Sequence, residues 1–506
     1  MNVFRKVGKT LKRDHTQTPY FSKLKAYAEG PYVSHDVPGH KRGELDNDMI
    51  RFVGKSVFRL DANAPRGLDN LNNPTGVIKE AAELMADAFG ADKAYFLTGG
   101  TTMGILSMIM SVCRAKEKII LPRNVHKSAI NALILSGAVP IFVKPHIDPD
   151  LGIANHVSVD DMVEAINDNP DAKAVLVINP TYFGVVSDLK EIARAAHEAG
   201  MIVMADEAHG SHFPFSDALP MGAMEAGADM ASCSLHKTVG SLTQSSILIA
   251  QGVMVDHVRL RSTINMIQST SPSGLLMSSL DAARKTIVTE GPKLLSDLIR
   301  MAQKTRERID AIEGLSSPSR AYFEKQGAYS FDETKIIVKV SGLGVSGFDL
   351  FKVLFDRFKI QVELAESHII LCVLSAGTRQ SDLDALVDAL ETIAFETRAL
   401  KLPPYAPRFI YTWPEYFTRP REAYHAPKTT MPIHDAAGQI AAESVMIYPP
   451  GIPIVIPGEV ISDDIIDDLQ YYKEQGSVIL SDTEQGMIRV VDKDNWFKWE
   501  DSDEVD

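Results

Sequence analysis

Between Asp92 and Ala250 the chain alternates short apolar runs with amphipathic stretches. The runs are Ala94–Leu97, Lys118–Leu121, Ala174–Ile178, Ile202–Ala205, Met230–Cys233 and Ser246–Ala250. Each is too short for a helix and has the length of a buried strand. Between them, Thr102–Cys113 and Leu189–Ala199 read as helices, the second ended by Gly200. Strands that alternate with helices predict a mostly parallel sheet covered on both faces.

The pattern changes after Gly291. Leu294–Glu313 reads as a long amphipathic helix, Lys335–Val340 as a strand and Gly347–Phe358 as a helix. Gln361–Leu374 reads as two strands meeting near Glu366 and Ser367, and Ser381–Glu396 as a closing helix. This mixed order predicts a smaller α+β domain. From Lys401 the chain is rich in proline and aromatic residues, as in Tyr448-Pro449-Pro450-Gly451-Ile452-Pro453, which predicts a C-terminal region packed on the rest. The expected organisation is an N-terminal arm (1–45), a large domain (46–292), a small α+β domain (293–400) and a C-terminal domain (401–506) with an acidic tail.

Composition narrows the class. A chain of 506 residues exceeds the size at which one core usually stops growing. Its net charge of −14 argues against a nucleic-acid partner, because phosphate attraction supplies most of such affinity. No apolar run is long enough to span a bilayer, and the basic stretch from Met1 to Asp14 has no apolar core behind it. The expectation is a cytoplasmic protein with no membrane contact. The cysteines are Cys113, Cys233 and Cys372; none forms a CxxC pair, so neither a disulfide framework nor a metal site is expected.

Four segments carry candidate chemistry. In Ser234-Leu235-His236-Lys237-Thr238, a lysine at a strand end beside a histidine suits condensation with an aldehyde, although such a lysine is often only a surface residue. Asp206 follows the strand Ile202–Ala205, at the edge where open α/β sheets bind ligands. It reads either as the partner of a protonated pyridine nitrogen or as the cap of the next helix. Thr98-Gly99-Gly100-Thr101-Thr102 offers backbone N–H groups and hydroxyls to a phosphate, or is a plain tight turn; no Gly-Lys-Ser/Thr or GxGxxG follows. His126 opens a loop after Lys118–Leu121 and reads as a stacking ring or a cap. Their order along successive strands gathers all four along one crevice.

With these segments in view, the chain resembles the bacterial ornithine/lysine/arginine decarboxylase family. The resemblance is carried by Asp36–Gly43, Leu68–Leu71, Pro74–Gly76, Thr98–Thr102, Asn124–Ser128, Asp206–His209, Ser234–Lys237 and Tyr448–Gly458. It implies a pyridoxal-phosphate-dependent fold of the aspartate-aminotransferase type (fold type I), α/β, with a mostly parallel seven-stranded sheet and smaller α+β C-terminal domains. By position it implies that Lys237 carries pyridoxal 5'-phosphate and that His236 is a proton-transfer candidate. Asp206 would pair with the pyridine nitrogen, His126 and Ala208 would cover the ring's two faces, and Gly100, Thr101, Thr102 and Ser234 would hold the phosphate. The family forms homodimers with shared sites, and Ser269-Thr270-Ser271-Pro272 resembles the segment that reaches the neighbouring subunit's phosphate. Three departures stand out: Met103 replaces a hydroxyl residue, His209 at the cofactor replaces a tryptophan of the large inducible enzymes, and their N-terminal receiver-like domain is missing.

The reaction is expected to be loss of the α-carboxylate from a basic amino acid. Aminotransferases of this fold clamp that carboxylate with an arginine on a late strand, whereas His368–Leu374 carries none and Arg379 lies beyond it. A basic side chain needs an acidic partner, for which Glu443 and Asp69 are the candidates. Arginine is the leading substrate, with lysine and ornithine open. An aminotransferase or other lyase on the same fold, and a non-catalytic regulatory relative, stand as alternatives.

Overall fold

The computed structural model describes residues 13–400, 402, 405, 413–448 and 451–500. The first twelve residues, Pro449, Pro450 and the end of the acidic tail lie outside the described residues. Seven strands form the central sheet: β1 (Lys93–Leu97), β2 (Lys118–Pro122), β3 (Val139–Val143), β4 (Ala174–Ile178), β5 (Ile202–Asp206), β6 (Met230–Cys233) and β7 (Ser246–Ala250). Their order is β1-β7-β6-β5-β4-β2-β3. Only β7 runs against its neighbours, so six strands end on one edge.

Both faces of this sheet are buried, as near-continuous apolar strands require. Ile120, Val175, Val177 and Val203 face one core layer; Ile119, Leu121, Leu176 and Met204 face the other. The helix Gly100–Val112 lies so close to the sheet that a Cβ on Gly104 would fall 1.9 Å from Ser232 Oγ. Glycine is what lets this helix settle on β6.

The 37-residue helix Gly274–Asp310 carries the chain out of the large domain, with Pro292 inside it. The predicted helix Leu294–Glu313 is therefore the second half of a longer element. Its first half anchors the N-terminal helix Pro19–Glu29: buried Asp281 accepts the Tyr20 and Phe21 N–H groups while pairing with Arg284 at 2.9 Å. The small domain follows with β8 (Lys335–Lys339), β9 (Leu364–Ala365) and β10 (Ile369–Val373), an antiparallel sheet backed by Gly347–Phe358 and Gln380–Leu400. The C-terminal region adds two further antiparallel sheets and the helix Asp463–Glu474 around its own apolar cluster. Among the described residues no helix is long and apolar enough to cross a membrane.

Candidate active site

The carboxyl ends of β1, β2, β4, β5 and β6 converge on a cavity of about 410 Å³. Its walls contain Gly100, Thr101, Thr102, His126, Asp206, Ala208, His209, Ser234, His236 and Lys237. Ten of the thirteen residues singled out from the sequence are thus brought together, by the switch-edge logic of open α/β sheets.

Each wall has a local cause. After β1, Gly99 leads into Gly100, whose φ of 73° places its N–H on the Gln244 carbonyl at 2.9 Å. That turn starts a helix whose first hydroxyl, on Thr101, bonds both Ser234 and Ser246. Met103, one of the departures, is buried in the apolar layer behind. After β2, His126 caps the helix Lys127–Ser136: its Nδ1 accepts the Ser128 N–H at 3.1 Å, which leaves the remaining proton on Nε2. After β5, Asp206 accepts the Ala208 N–H at 3.2 Å. Its neighbour Glu207 is withdrawn from the cavity and binds Asn179, the Ala223 N–H and the Cys233 thiol; burial pushes its carboxyl up to about 8. Asn179 precedes Pro180–Phe183, which form the wall after β4, so the two adjacent acids divide the work between facing the cavity and bracing it.

After β6, Lys237 sits on a short helix with its amine 2.9 Å from His209 Nε2 and 5.6 Å from the centre of the Tyr182 ring. Burial lowers the basicity of this amine; the Asp206 carboxylate opposes that, Lys335 adds to it, and Glu363 opposes it again. His236 lines the cavity, and its Nδ1–H donates to the Ser245 carbonyl at 2.9 Å.

The remaining three candidates are not brought to this cavity within the chain. Glu443 is buried in the C-terminal domain, where its carboxylate accepts from the Asp482 N–H, the Thr483 hydroxyl and the Arg489 N–H. Asp69 accepts the N–H groups of Asn70, Thr75, Gly76 and Ile78 and so secures the start of the helix Val77–Ala88. Within the chain Asp69 is engaged by backbone N–H groups and Glu443 by two N–H groups and a hydroxyl, so neither lines this cavity as the expected partner of the substrate's far end. Thr270 lies exposed in the loop before Gly274–Asp310.

The acid that does line the cavity beside Asp206 is Glu363, which the sequence reading passed over. It enters from the small domain just before β9 and accepts a hydrogen bond from the Tyr182 hydroxyl. A lone glutamate beside a short strand gives no local signal; only the packing of two domains brings it here. Ile452 closes another side from the C-terminal domain, held by the Lys127 N–H on the Gly451 carbonyl. Among the described residues no arginine lines the cavity, and Arg379 is exposed and paired with Asp382 at 2.9 Å.

An amine, a carboxylate and a glycine-hydroxyl turn, set around a space that takes an aromatic ring and a phosphate, define a pyridoxal-phosphate-dependent enzyme of the aspartate-aminotransferase fold. The fold matches a lysine decarboxylase from Francisella novicida with a TM-score of 0.81, 19% identity, 94% of this chain and 81% of that one. A serine palmitoyltransferase from Sphingomonas wittichii matches with a TM-score of 0.53, 16% identity, 72% of this chain and 86% of that one. The pattern of the Orn/Lys/Arg decarboxylase major domain fits residues 18–382, and that of the family's C-terminal domain fits 407–478. The chain belongs to this decarboxylase family. It is 42% identical to an arginine decarboxylase of Bacillus subtilis over 94% of this chain and 98% of that one. It is 43% identical to an arginine decarboxylase of Halalkalibacterium halodurans over 90% and 93%.

Proposed function

We propose that this chain decarboxylates arginine to agmatine and carbon dioxide. The observation that carries the reading is the pair of acids in the cavity wall. Asp206 is set at a strand end for a ring nitrogen, and Glu363 is the carboxylate left for a cationic tail. The identity to arginine decarboxylases supports arginine over lysine and ornithine.

Bound pyridoxal phosphate supplies an electron sink that makes bonds at the substrate α-carbon labile. The chain's part is to choose the bond. Lys237 would offer the amine that carries the cofactor. Asp206 would keep a proton on the ring nitrogen by charge. His126 and Ala208 would flank the ring, and Gly100, Thr101, Thr102 and Ser234 would offer donors to the phosphate. Glu363, steadied by Tyr182, fixes the far end of the substrate. With no arginine among the described residues of the wall, the α-carboxylate would lie without a clamp near apolar groups such as Ile178, Phe183 and Ile452, where its charge is disfavoured and neutral carbon dioxide departs more readily. In this reading His236 or Lys237 would return a proton to the α-carbon. The enzyme acts in the cytoplasm as a homodimer, in which Thr270 reaches the partner's phosphate.

The test is carbon dioxide release from arginine, lysine and ornithine by the protein loaded with pyridoxal phosphate. Arginine is expected to show the highest kcat/KM. Preference for another of the three overturns the substrate, and keto-acid-dependent amino transfer without carbon dioxide overturns the reaction.

A further inference from the structure

The group that meets the Lys237 amine is His209, not His236. The His209 ring is buried and packed 4.4 Å from the ring of Tyr182. Its other nitrogen, Nδ1, is buried with no hydrogen-bond partner among the described residues. A neutral imidazole carries one N–H, and an orphaned buried donor is rarer than an under-used acceptor. The proton therefore belongs on Nε2, where it points at Lys237 Nζ. An ammonium has no electron pair to receive it, whereas an uncharged amine does.

We propose that His209 is a positioning residue that donates its Nε2–H to Lys237 and holds that amine uncharged and aimed into the cavity. This rests on the reading of Lys237 as the cofactor-bearing residue. The charged and titratable groups around the pair agree with it. Burial presses the basicity of His209 well below the usual histidine range, and any positive charge on Lys237, Lys335, His126 or His212 would lower it further. The ring thus stays neutral. Lys335 on β8 also disfavours charge on Lys237, against the pull of Asp206 and Glu363. No bond beyond the hydrogen bond is made or broken: the proton stays on Nε2, and the electron pair on Nζ is released when the amine turns to an aldehyde.

The test uses protein freed of cofactor. Competitive acetylation, read by mass spectrometry at Lys237 across pH, gives the midpoint at which the amine becomes reactive. H209F and H209L remove the donor and are read in parallel; H209Q keeps an amide N–H near the same place. The midpoint is expected to rise by about one pH unit in H209F and H209L and to stay near wild type in H209Q. Capture of pyridoxal phosphate near neutral pH, followed by absorbance, should slow about tenfold in the first two. Borohydride fixation then separates the two readings. Cofactor fixed on a lysine other than Lys237 sinks the assignment of Lys237 itself. Cofactor fixed on Lys237, with a midpoint that is unchanged or lower in H209F and H209L, sinks only the role of His209.

Discussion

Arg123, one residue past β2, meets Glu459 of the C-terminal domain in a buried two-point ion pair, Nε to Oε1 at 2.8 Å and Nη2 to Oε2 at 2.7 Å. Two further guanidinium N–H groups donate to the carbonyls of Pro453 and Ile454. One side chain therefore fastens the strand that carries Ile452 against the loop that carries His126. R123A leaves Glu459 buried and unpaired, and should cost about 3–5 kcal/mol in urea unfolding. R123K keeps the charge but not the fork, and is expected to fall between the two.

K237A should fold with an unfolding midpoint near that of the wild type, yet show neither turnover nor a borohydride-fixed cofactor. D206A should retain cofactor on Lys237 and lose most of its turnover, since the ring nitrogen loses the charge that keeps it protonated. Wild-type kinetics in D206A would remove the acid from the reading.

E363Q keeps the shape of the glutamate and removes its charge. If Glu363 holds the guanidinium, KM for arginine should rise by about ten- to a hundredfold, with a smaller effect on kcat, as expected for loss of a charged hydrogen bond outside the reacting bonds. Steady-state kinetics on arginine decides it; an unaltered KM would place the tail elsewhere.

G104A puts a methyl group 1.9 Å from Ser232 Oγ and 3.0 Å from Leu97 Cδ1. The helix must lift from β6, at about 1–3 kcal/mol, and its first turn carries Thr101 and Thr102 with it. Weaker cofactor affinity should accompany the lower unfolding midpoint, measured by equilibrium dialysis and calorimetry.

Glu366 gives a pH dependence of known sign. It is buried where the small domain meets the C-terminal domain, and burial lifts its carboxyl to about 7 despite the hydrogen bond from the Tyr472 hydroxyl at 3.0 Å. A folded-state pKa above the unfolded 4.5 means that the folded chain holds the proton longer. Its stabilising contribution is complete below pH 4.5 and is lost as the pH rises to about 7, by an amount on the order of 3 kcal/mol. Unfolding of wild type and E366Q at pH 5 and pH 8 checks this: the variant should lose less stability over that interval.

How far these features were legible differs from residue to residue. Lys237, Asp206, His126 and the turn at Gly100 each follow a strand, so their convergence is implied once the strands are parallel. Residues placed by contact between domains leave no such trace. Glu363 reaches the cavity because the small domain docks there, and its only local mark is a charge beside a strand. Conversely, Asp69 and Glu443 look free in the sequence, because nothing along the chain reveals that folded backbone N–H groups consume their oxygens. The helix expected from Leu294 begins at Gly274 and runs through Pro292, an interior residue that ordinarily disfavours a helix, with Ile287, Gly291 and Leu295 buried around it.

The hairpin bearing Ile452 has a consequence for how the protein is made. Synthesis runs from the amino terminus, so the amine, the acid and the phosphate turn leave the ribosome long before the last wall of their chamber exists.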